Sequence, residues 1–320
     1  MPAKPKAVFL DFAGLGEDVD TRALERLLDL RYYDYTTADE VGPRIAEAEI
    51  VIVNKTTLSA SAIAGAPRLR LIALTGTGTD NVDTAAAAER GVALVNTRGY
   101  CSASVVQHVF ALILALTQQI VPYTALVRSG AWQSSRSFAL LAYPIRELAG
   151  RMLGVVGYGT LGRAVADAGR CFGMRVLVSA RPGARAPAEG RVPFEQVLEQ
   201  ADVLTLHCPL DETTRHLIGK AELARMKRDA LLINTARGGL VDGEALAEAL
   251  RRGAIGGAGV DVLPVEPPES GDPLLAADVP NLIVTPHVAW TARESRQRAL
   301  NQVAENVEHF LRGEALRRVL

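Results

Sequence analysis

The chain has 320 residues, with 35 Lys and Arg against 36 Asp and Glu and a formal net charge of −1 at pH 7. A chain of this length favours two domains, and its balanced charge provides no overall basic field to recruit nucleic acid or a membrane surface. Its three cysteines form no C-x-x-C pair and no disulfide framework, which is typical of a reducing compartment. The amino-terminal sequence MPAKPKAVFLDF lacks the apolar core and cleavage site of a signal peptide, so we expect a cytoplasmic protein.

Short apolar strands alternate with helical patterns from the amino terminus onward. Repeated strand-then-helix alternation predicts a parallel sheet covered by helices, and the first hundred residues contain enough elements for a complete α/β domain. The last helical pattern, 292–310, is long enough to return and pack on this domain. The predicted strands are 7–10, 32–35, 50–53, 69–74 and 92–95, and the predicted helices include 24–28, 41–48 and 84–89.

One long helix is predicted from Ser102 to Arg128, with apolar positions almost all round its middle. A helix of that kind is buried on several sides. We therefore expect it to lie between two domains or between two subunits. A polar and aromatic connection, 129–143, follows it.

The centre of the chain carries the glycine motif GYGTLG, Gly157–Gly162, between an apolar run and a helical pattern. Strand, glycine turn and helix is the context in which G-x-G-x-x-G indicates dinucleotide binding. Gly157 allows the tight turn, Gly159 lets backbone approach a pyrophosphate, and Gly162 lets helix pack closely on strand. A glycine-rich turn that binds nothing is the alternative interpretation. The strands predicted in this half are 152–156, 175–178, 203–206, 231–234, 258–262 and 282–285, enough for a doubly wound sheet.

Three reactive side chains, Arg237, Glu266 and His287, each follow a predicted strand of this second half. Because ligands of open α/β sheets bind at the carboxyl ends of the strands, we expect the three to share one site. Taken singly, each has a structural alternative: a salt-bridge partner for Arg237, a loop charge for Glu266 and a structural histidine for His287. Their occurrence together at strand ends favours the catalytic interpretation.

The chemistry of the three side chains suits a substrate that carries a carboxylate and a carbonyl group. A carboxylate near an imidazole favours the protonated ring, which makes His287 a proton donor usable near neutrality. The planar fork of Arg237 can hold a substrate carboxylate bidentately and polarise an adjacent carbonyl. The neighbouring Gly238 and Gly239 leave room for a substrate to approach.

With these motifs in view, the chain resembles the D-isomer-specific 2-hydroxyacid dehydrogenase family nearly from end to end. Within that family it is most similar to the glycerate dehydrogenase, or hydroxypyruvate reductase, branch. The motifs that carry the family resemblance are GYGTLG, LHCPL at 206–210, NTARGG at 234–239, GVDVLPVEPP at 259–268 and TPHVAW at 285–290. The branch is indicated by VNKTTLS at 53–59, VVQHVFALILAL at 105–116 and Trp290.

The resemblance implies two domains and a dimer. Residues 1–101 with 291–320 would form a flavodoxin-like substrate (catalytic) domain, and residues 102–290 a doubly wound Rossmann dinucleotide-binding domain. Family members are usually homodimers built through the long helix and the loop that follows it, here 102–143. No nucleic-acid partner, membrane partner or metal is expected.

The resemblance also implies roles for individual residues. His287 donates a proton to the substrate carbonyl oxygen, Glu266 sets its protonation, and Arg237 binds the carboxylate and carbonyl while nicotinamide delivers hydride. Asp261 holds the carboxamide of the nicotinamide ring. The residues that it places at the substrate are Lys55, Thr75, Gly76, Thr77, Gly78, Arg237, His287 and Trp290. The residues that it places at the coenzyme are Val105, Gly157, Tyr158, Gly159, Thr160, Leu161, Gly162, Ala180, Arg181, His207, Cys208, Pro209, Thr213, Thr235, Ala236, Arg237, Asp261, His287 and Ala289.

The choice of coenzyme departs from the commonest pattern. Folds that prefer NAD end the second strand with an acidic residue, about 20 positions beyond the motif, which binds the ribose hydroxyls. That position here is Ala180, and a cation, Arg181, follows it. No carboxylate repels a 2′-phosphate, and Arg181 can bind one. We therefore predict that NADP(H) is used at least as well as NAD(H), with Arg181 as a plain surface residue as the alternative.

The predicted function is NAD(P)H-dependent reduction of a small 2-oxo acid, with hydroxypyruvate or glyoxylate as the first expectation. Two alternatives stay open. One is a reductase of another 2-oxo acid in the same family, such as pyruvate or a bulkier keto acid. The other is a non-catalytic NAD(H)-sensing protein similar to the corepressors that share this fold.

Overall fold

Two parallel β-sheets organise the chain, each at the centre of its own unit. The computed structural model describes residues 3–183 and 188–320. One unit comprises the chain up to Cys101 together with Thr291–Leu320, and the other comprises Ser102–Trp290. Each unit has its own cluster of buried apolar side chains.

The first unit alternates strand and helix and has a five-stranded sheet. Its strand Ile50–Val53 has the sequence IVIV and is buried throughout, as β-branched residues of a sheet covered on both faces should be. The elements are β1 Lys6–Phe9, α1 Arg22–Leu27, β2 Asp29–Tyr32, α2 Ala38–Ile45, β3 Ile50–Val53, α3 Ala60–Ala64, β4 Leu71–Leu74, α4 Thr84–Glu89 and β5 Ala93–Val95. All strands are parallel in the order β2-β1-β3-β4-β5, which is the flavodoxin-like order.

Two details of the first unit differ from prediction. The second strand was expected at 32–35, but β2 covers Asp29–Tyr32. The aromatic run misled the prediction: the Tyr33 ring lies under the guanidinium groups of Arg31 and Arg44, at 4.9 and 4.1 Å. The short helix α3 has the sequence ASAIA, which is too small and weakly patterned to be recognised.

The second unit has a six-stranded parallel sheet in the order β11-β10-β9-β8-β6-β7. Its strands match the predicted ones closely, and the α/β doubly wound class is confirmed. The elements are α5 Ser102–Thr117, α6 Ile120–Arg128, β6 Met152–Val156, α7 Thr160–Cys171, β7 Arg175–Val178, α8 Phe194–Gln200, β8 Val203–Leu206, α9 Lys220–Arg225, β9 Leu231–Asn234, α10 Gly243–Arg251, β10 Gly257–Val260 and β11 Leu282–Val284.

A single parallel bridge extends this sheet beyond β7. Ser179, directly after β7, pairs with Val192. The N–H of Val192 donates to the carbonyl of Val178 at 2.9 Å, and the N–H of Ala180 donates to the carbonyl of Val192 at 2.8 Å. The bridge occupies the place of the third strand in the usual order 3-2-1-4-5-6. The strand order therefore reverses between β6 and β8, which is where such sheets bind dinucleotides.

The prediction of one helix from Ser102 to Arg128 was wrong, because α5 and α6 meet at a bend of 57°. Pro122 has no N–H, and its ring would clash with the carbonyl of Gln118 in a continuous helix. Gln119 breaks the helix in a left-handed conformation with φ of 55°. No single helix in the described ranges is long and apolar enough to cross a membrane; only the bent pair, taken together, meets both criteria.

The last helix, α11 Arg293–Leu311, belongs to the first unit and packs on α1 and β4. Its buried Asn306 donates to the carbonyl of Asn96 at 3.0 Å. Gln302 makes two hydrogen bonds with the backbone of Arg98, one at 2.9 Å and one at 3.0 Å. These bonds fasten α11 to the segment that follows β5.

Candidate active site

The glycine motif forms the turn between β6 and α7. Gly157 has a φ of 88°, and a Cβ placed there would lie 2.5 Å from the backbone of His207 and Cys208. A Cβ at Gly162 would lie 2.0 Å from the carbonyl oxygen of Gly157. A Cβ at Gly159 would meet no atom within 4 Å, so the start of α7 is open there. The cradle fits a dinucleotide pyrophosphate, since N–H groups at a helix N-terminus bind phosphate.

Arg237 lies in the loop that follows β9, and two features fix that loop. The buried Asn234 side chain donates to the carbonyl of Arg237 at 2.9 Å and accepts from the N–H of Ala236 at 3.1 Å. A Cβ at Gly238 would lie 2.0 Å from the carbonyl carbon of Leu263. Gly238 therefore lets the Arg237 loop rest directly on the loop that follows β10.

His287 and Glu266 form a hydrogen-bonded pair at the ends of the next two strands. The Nδ1 atom of His287 lies 2.6 Å from Oε2 of Glu266. The other carboxylate oxygen, Oε1, accepts from the N–H of Leu263 at 2.9 Å, which orients the carboxylate. Because Nδ1 faces Glu266, Nε2 is the ring nitrogen that is left to face a substrate. The pair has the geometry of a proton donor held by a carboxylate.

The backbone of His287 is held in an uncommon conformation. Its φ is 56°, in the left-handed region that non-glycine residues rarely occupy. The N–H of His287 donates to the carbonyl oxygens of Asp261 at 2.8 Å and Thr285 at 3.0 Å, which holds the turn in place. Such backbone strain clusters at functional sites, where the surrounding structure maintains it.

Asp261 organises the loop that carries His287. It is 1% exposed, and its carboxylate accepts from the N–H groups of Val288 and Ala289, both at 2.9 Å. It also accepts from the hydroxyl of Thr285 at 2.5 Å. A buried carboxylate with three donors is a rigid anchor, because breaking the set would leave a buried charge unpaired.

His108 makes a further contact of this network, which the sequence motifs did not indicate. Its Nε2 atom lies 2.9 Å from the Thr285 hydroxyl. The Thr285 hydroxyl donates to Asp261, so it is the tautomer of His108 with its N–H at Nε2 that can donate a hydrogen bond to Thr285. The available signal was a polar ring directly before the apolar run 109–116 of α5.

The substrate-binding residues predicted in the first unit lie on two loops. The Asp11 carboxylate accepts from the N–H groups of Asn54, Lys55 and Thr56 at 2.6–2.8 Å, and the Lys55 side chain is exposed. This carboxylate fixes the loop after β3.

The other loop follows β4 and contains Thr75, Gly76, Thr77 and Gly78. The hydroxyl of Thr97 donates to the carbonyl of Thr75 at 2.9 Å, and the hydroxyl of Thr77 donates back to the carbonyl of Thr97 at 2.7 Å. The N–H of Thr97 also donates to the carbonyl of Gly76 at 3.1 Å. Within the described residues the buried hydroxyl of Thr75 has no partner.

Four residues predicted at the coenzyme follow β8. His207 is half-buried, its Nε2 lies 2.9 Å from the Thr205 hydroxyl, and burial lowers its pKa to about 4, so the ring is neutral. Burial raises the pKa of the neighbouring Cys208 thiol to about 11, which keeps it protonated. Pro209 is exposed, and Thr213 is bound to the Asp211 carboxylate through its N–H and its hydroxyl.

The remaining predicted coenzyme residues lie at four other places in the second unit. Thr160 and Leu161 begin α7, and the buried Val105 lies on α5 beside Ser104, whose hydroxyl donates to Ala289. Ala180 is buried at the end of β7, whereas Arg181 is exposed. The hydroxyl of Thr235, next to Ala236, is buried and has no partner among the residues described. A ligand in the site can supply that partner.

A cavity of about 250 Å³ lies at the opposite edge of the second sheet, where the strands begin. Its charged groups pair with one another: Arg146 with Asp229, and Arg151 with Asp202 at 3.6 Å and with Asp229 at 3.8 Å. This cavity is therefore remote from the strand ends that carry Arg237, Asp261 and His287, and it is not the site of the chemistry.

The second unit matches the family model of the D-isomer specific 2-hydroxyacid dehydrogenase NAD binding domain over residues 110–289. Among curated proteins, glycerate dehydrogenase of Methylorubrum extorquens is 46% identical over 96% of this chain and 96% of its own. Hydroxypyruvate reductase of Blautia hydrogenotrophica is 35% identical over 92% and 93%. A solved NADPH-dependent glyoxylate/hydroxypyruvate reductase from Sinorhizobium meliloti, in complex with NADP and malonate, superposes with a TM-score of 0.82, 27% identity and coverage of 99% and 97%.

The chain therefore belongs to the D-isomer specific 2-hydroxyacid dehydrogenase family. It is an oxidoreductase that acts on the CH–OH group and uses a nicotinamide coenzyme. The resemblance inferred from the motifs, and the branch to which they pointed, are both confirmed. The non-catalytic interpretation is set aside.

Proposed function

We propose that this dehydrogenase reduces hydroxypyruvate and glyoxylate in preference to other 2-oxo acids, with NADP(H) used at least as well as NAD(H). The observation that carries the proposal is the pair of His287 Nδ1 and Glu266 Oε2 at 2.6 Å, beside the fixed loop of Arg237. The names of the relatives from Methylorubrum extorquens and Blautia hydrogenotrophica support the substrate.

The proposed reaction is reduction of a carbonyl group next to a carboxylate. A nicotinamide coenzyme, held by its pyrophosphate at the turn Gly157–Gly162, would supply the hydride. His287 gives the proton from Nε2 to the carbonyl oxygen, while Glu266 holds the opposite nitrogen. Arg237 holds the carboxylate with its planar fork and polarises the carbonyl. The proton donor and the electrostatic clamp then act where negative charge develops on oxygen.

The first unit is proposed to contribute to carboxylate recognition. N–H groups of the loop Thr75–Gly78 can grip a carboxylate, and Lys55 can add a positive charge. Trp290, a half-buried side chain at the end of the second unit, is proposed to limit substrate size. The relatives from Methylorubrum extorquens and Blautia hydrogenotrophica support a small polar substrate for this set of residues.

The coenzyme proposal rests on the end of β7. Ala180 is buried and offers no carboxylate to ribose hydroxyls, and a cation follows it. An NAD-preferring site would need an acid there. The relative from Sinorhizobium meliloti, solved with NADP, supports the proposal.

We also propose a cytoplasmic homodimer formed through α5, α6 and the connection after them. Exposed large apolar side chains are concentrated in that part of the chain. Large apolar side chains exposed together in one segment are typical of an interaction site. These side chains are Ile120, Val121, Val127, Trp132, Phe138, Leu141, Tyr143 and Ile145.

A substrate panel with both coenzymes tests the proposal. Initial rates with hydroxypyruvate, glyoxylate, pyruvate and phenylpyruvate are measured with NADPH and with NADH. We expect the largest kcat/KM for hydroxypyruvate or glyoxylate, with NADPH at least equal to NADH. A higher kcat/KM for pyruvate or phenylpyruvate would contradict the substrate assignment, and a strong NADH preference would contradict the coenzyme assignment.

A further inference from the structure

Arg191 lies at the carboxyl end of β7, although it follows that strand by thirteen positions in the sequence. It immediately precedes Val192, whose bridge to Ser179 extends the sheet beyond β7. One guanidinium nitrogen of Arg191 donates to the carbonyl oxygen of Ser179 at 2.9 Å. The side chain is half-buried. Its guanidinium therefore occupies a fixed position at the strand end where an NAD-preferring fold places its acid.

The same guanidinium lies over Tyr158, the second residue of the glycine motif. Its central carbon is 5.8 Å from the centroid of the Tyr158 ring. The guanidinium of Arg163, on the first turn of α7, lies 5.7 Å from that centroid, and its Nε donates to the Tyr158 carbonyl at 3.2 Å. Cation–π contact limits the movement of both guanidinium groups. Two cations therefore converge on the segment that joins β6 to α7.

Among residues 3–183 and 188–320, no Asp or Glu oxygen lies within the 4.0 Å of an ion pair from Arg191 or Arg163, so no carboxylate of these ranges neutralises the two cations. Ala180 contributes no charge, and the Ser179 hydroxyl donates to the carbonyl of Ala180 at 2.7 Å. The end of β7 is therefore electropositive, and most of the five N–H donors of Arg191 are available to a ligand.

We propose that Arg191 is the principal determinant of NADP(H) use and binds the 2′-phosphate of the coenzyme, with Arg163 as the second cation. This inference rests on the proposed use of NADP(H) and assigns it to a residue distant in sequence from the expected position. A guanidinium fork matches a phosphate bidentately. Arg191 loses little conformational freedom on binding because it is already held by Ser179 and Tyr158, whereas Arg181 is exposed.

The test is a calorimetric titration of the coenzyme-free protein with two fragments of the coenzymes. Adenosine 2′,5′-bisphosphate carries the 2′-phosphate, and adenosine 5′-monophosphate lacks it. The variants are Arg191→Gln and Arg181→Gln. Arg175→Gln is the matched control, because Arg175 lies at the other end of β7, where its guanidinium donates to Gly150.

We expect Arg191→Gln to weaken binding of the bisphosphate roughly tenfold to a hundredfold, because a hydrogen-bonded charge pair is lost. Binding of the monophosphate should change by less than about twofold, since the adenine and 5′-phosphate contacts are retained. The KM for NADPH should rise while that for NADH stays near its original value. Arg181→Gln should have a smaller effect, and Arg175→Gln none.

Two results would overturn the inference and separate it from the coenzyme proposal. If the parent protein prefers the bisphosphate and Arg191→Gln leaves that preference intact, Arg191 is not the determinant, although the use of NADP(H) stands. If Arg191→Gln weakens the binding of both fragments equally, the role of Arg191 is to stack on adenine. A parent protein that binds the two fragments equally would overturn the coenzyme proposal and this inference together.

Discussion

The contact between His287 and Glu266 makes a direct prediction for single residues. His287→Gln removes the proposed proton donor and should lower kcat by about 10²–10⁴, the usual contribution of a general acid. Coenzyme affinity should stay nearly unchanged, because the glycine loop is a separate part of the second unit. Steady-state kinetics and coenzyme fluorescence titration measure the two quantities; a variant that keeps the parent rate would refute the role.

Glu266→Gln tests the second member of the pair through the orientation of His287. The two carboxylate oxygens lie at Nδ1 of His287 and at the N–H of Leu263, and an amide offers only one oxygen to these two positions. The variant should therefore lower kcat for reduction, by up to about 10⁴, because a catalytic imidazole is no longer held in the productive orientation. Steady-state kinetics measure this fall. A variant with the parent kcat would show that Glu266 takes no part in the reaction.

His207 gives a stability prediction at the scale of one residue. Burial lowers its pKa to about 4 in the folded protein, against about 6.5 when unfolded. The unfolded chain therefore binds a proton first, and stability falls as the pH drops from about 6.5 towards 4, by up to about 3 kcal/mol. Urea unfolding at pH 7.5 and 4.5 should show a smaller decline in His207→Gln. An equal decline in both proteins would contradict the assignment.

At the scale of elements, the turn from β6 to α7 contains glycines with two different roles, close packing at Gly162 and access for a ligand at Gly159. A Cβ at Gly162 would lie 2.0 Å from the Gly157 carbonyl, so Gly162→Ala should lower the melting temperature and coenzyme affinity together. A Cβ at Gly159 meets nothing within 4 Å, so Gly159→Ala should retain the melting temperature but weaken coenzyme binding. Thermal unfolding with and without coenzyme measures both the melting temperature and coenzyme binding. Unchanged binding in Gly159→Ala would show that no ligand approaches that backbone.

Elements with strong patterns could be predicted from the sequence, and those fixed by tertiary contacts could not. The strand IVIV (β3) and the turn at Gly157 could be predicted because each has a local sequence signal, a run of β-branched residues in the first case and a glycine motif in the second. The break at Gln119 depends on one proline, whose effect the apolar pattern of the surrounding helix concealed. Arg191 could not be found by counting from the glycine motif, because a bridge at Val192 brings it back to the end of β7.

At the scale of the whole molecule, the two units use the same strand-then-helix principle for different purposes. In the first, Asp11 and Thr97 hold the loops after β3 and β4 through backbone groups. In the second, Asn234 and Asp261 hold the loops after β9 and β10. Sequence motifs revealed the reactive side chains but not these anchors, since an anchor is defined by the partners that folding brings to it.

The proposed dimer is tested at the same scale. Phe138 is 94% exposed and Leu141 is 92% exposed, in the connection that is proposed to form part of the interface. The double change Phe138→Glu with Leu141→Glu should convert a dimer into a monomer, because a buried unpaired carboxylate disfavours association. Tyr35→Glu, at a 78% exposed aromatic position of the first unit, is the matched control and should stay dimeric. Sedimentation equilibrium measures both, and a parent protein that sediments as a monomer would end the proposal.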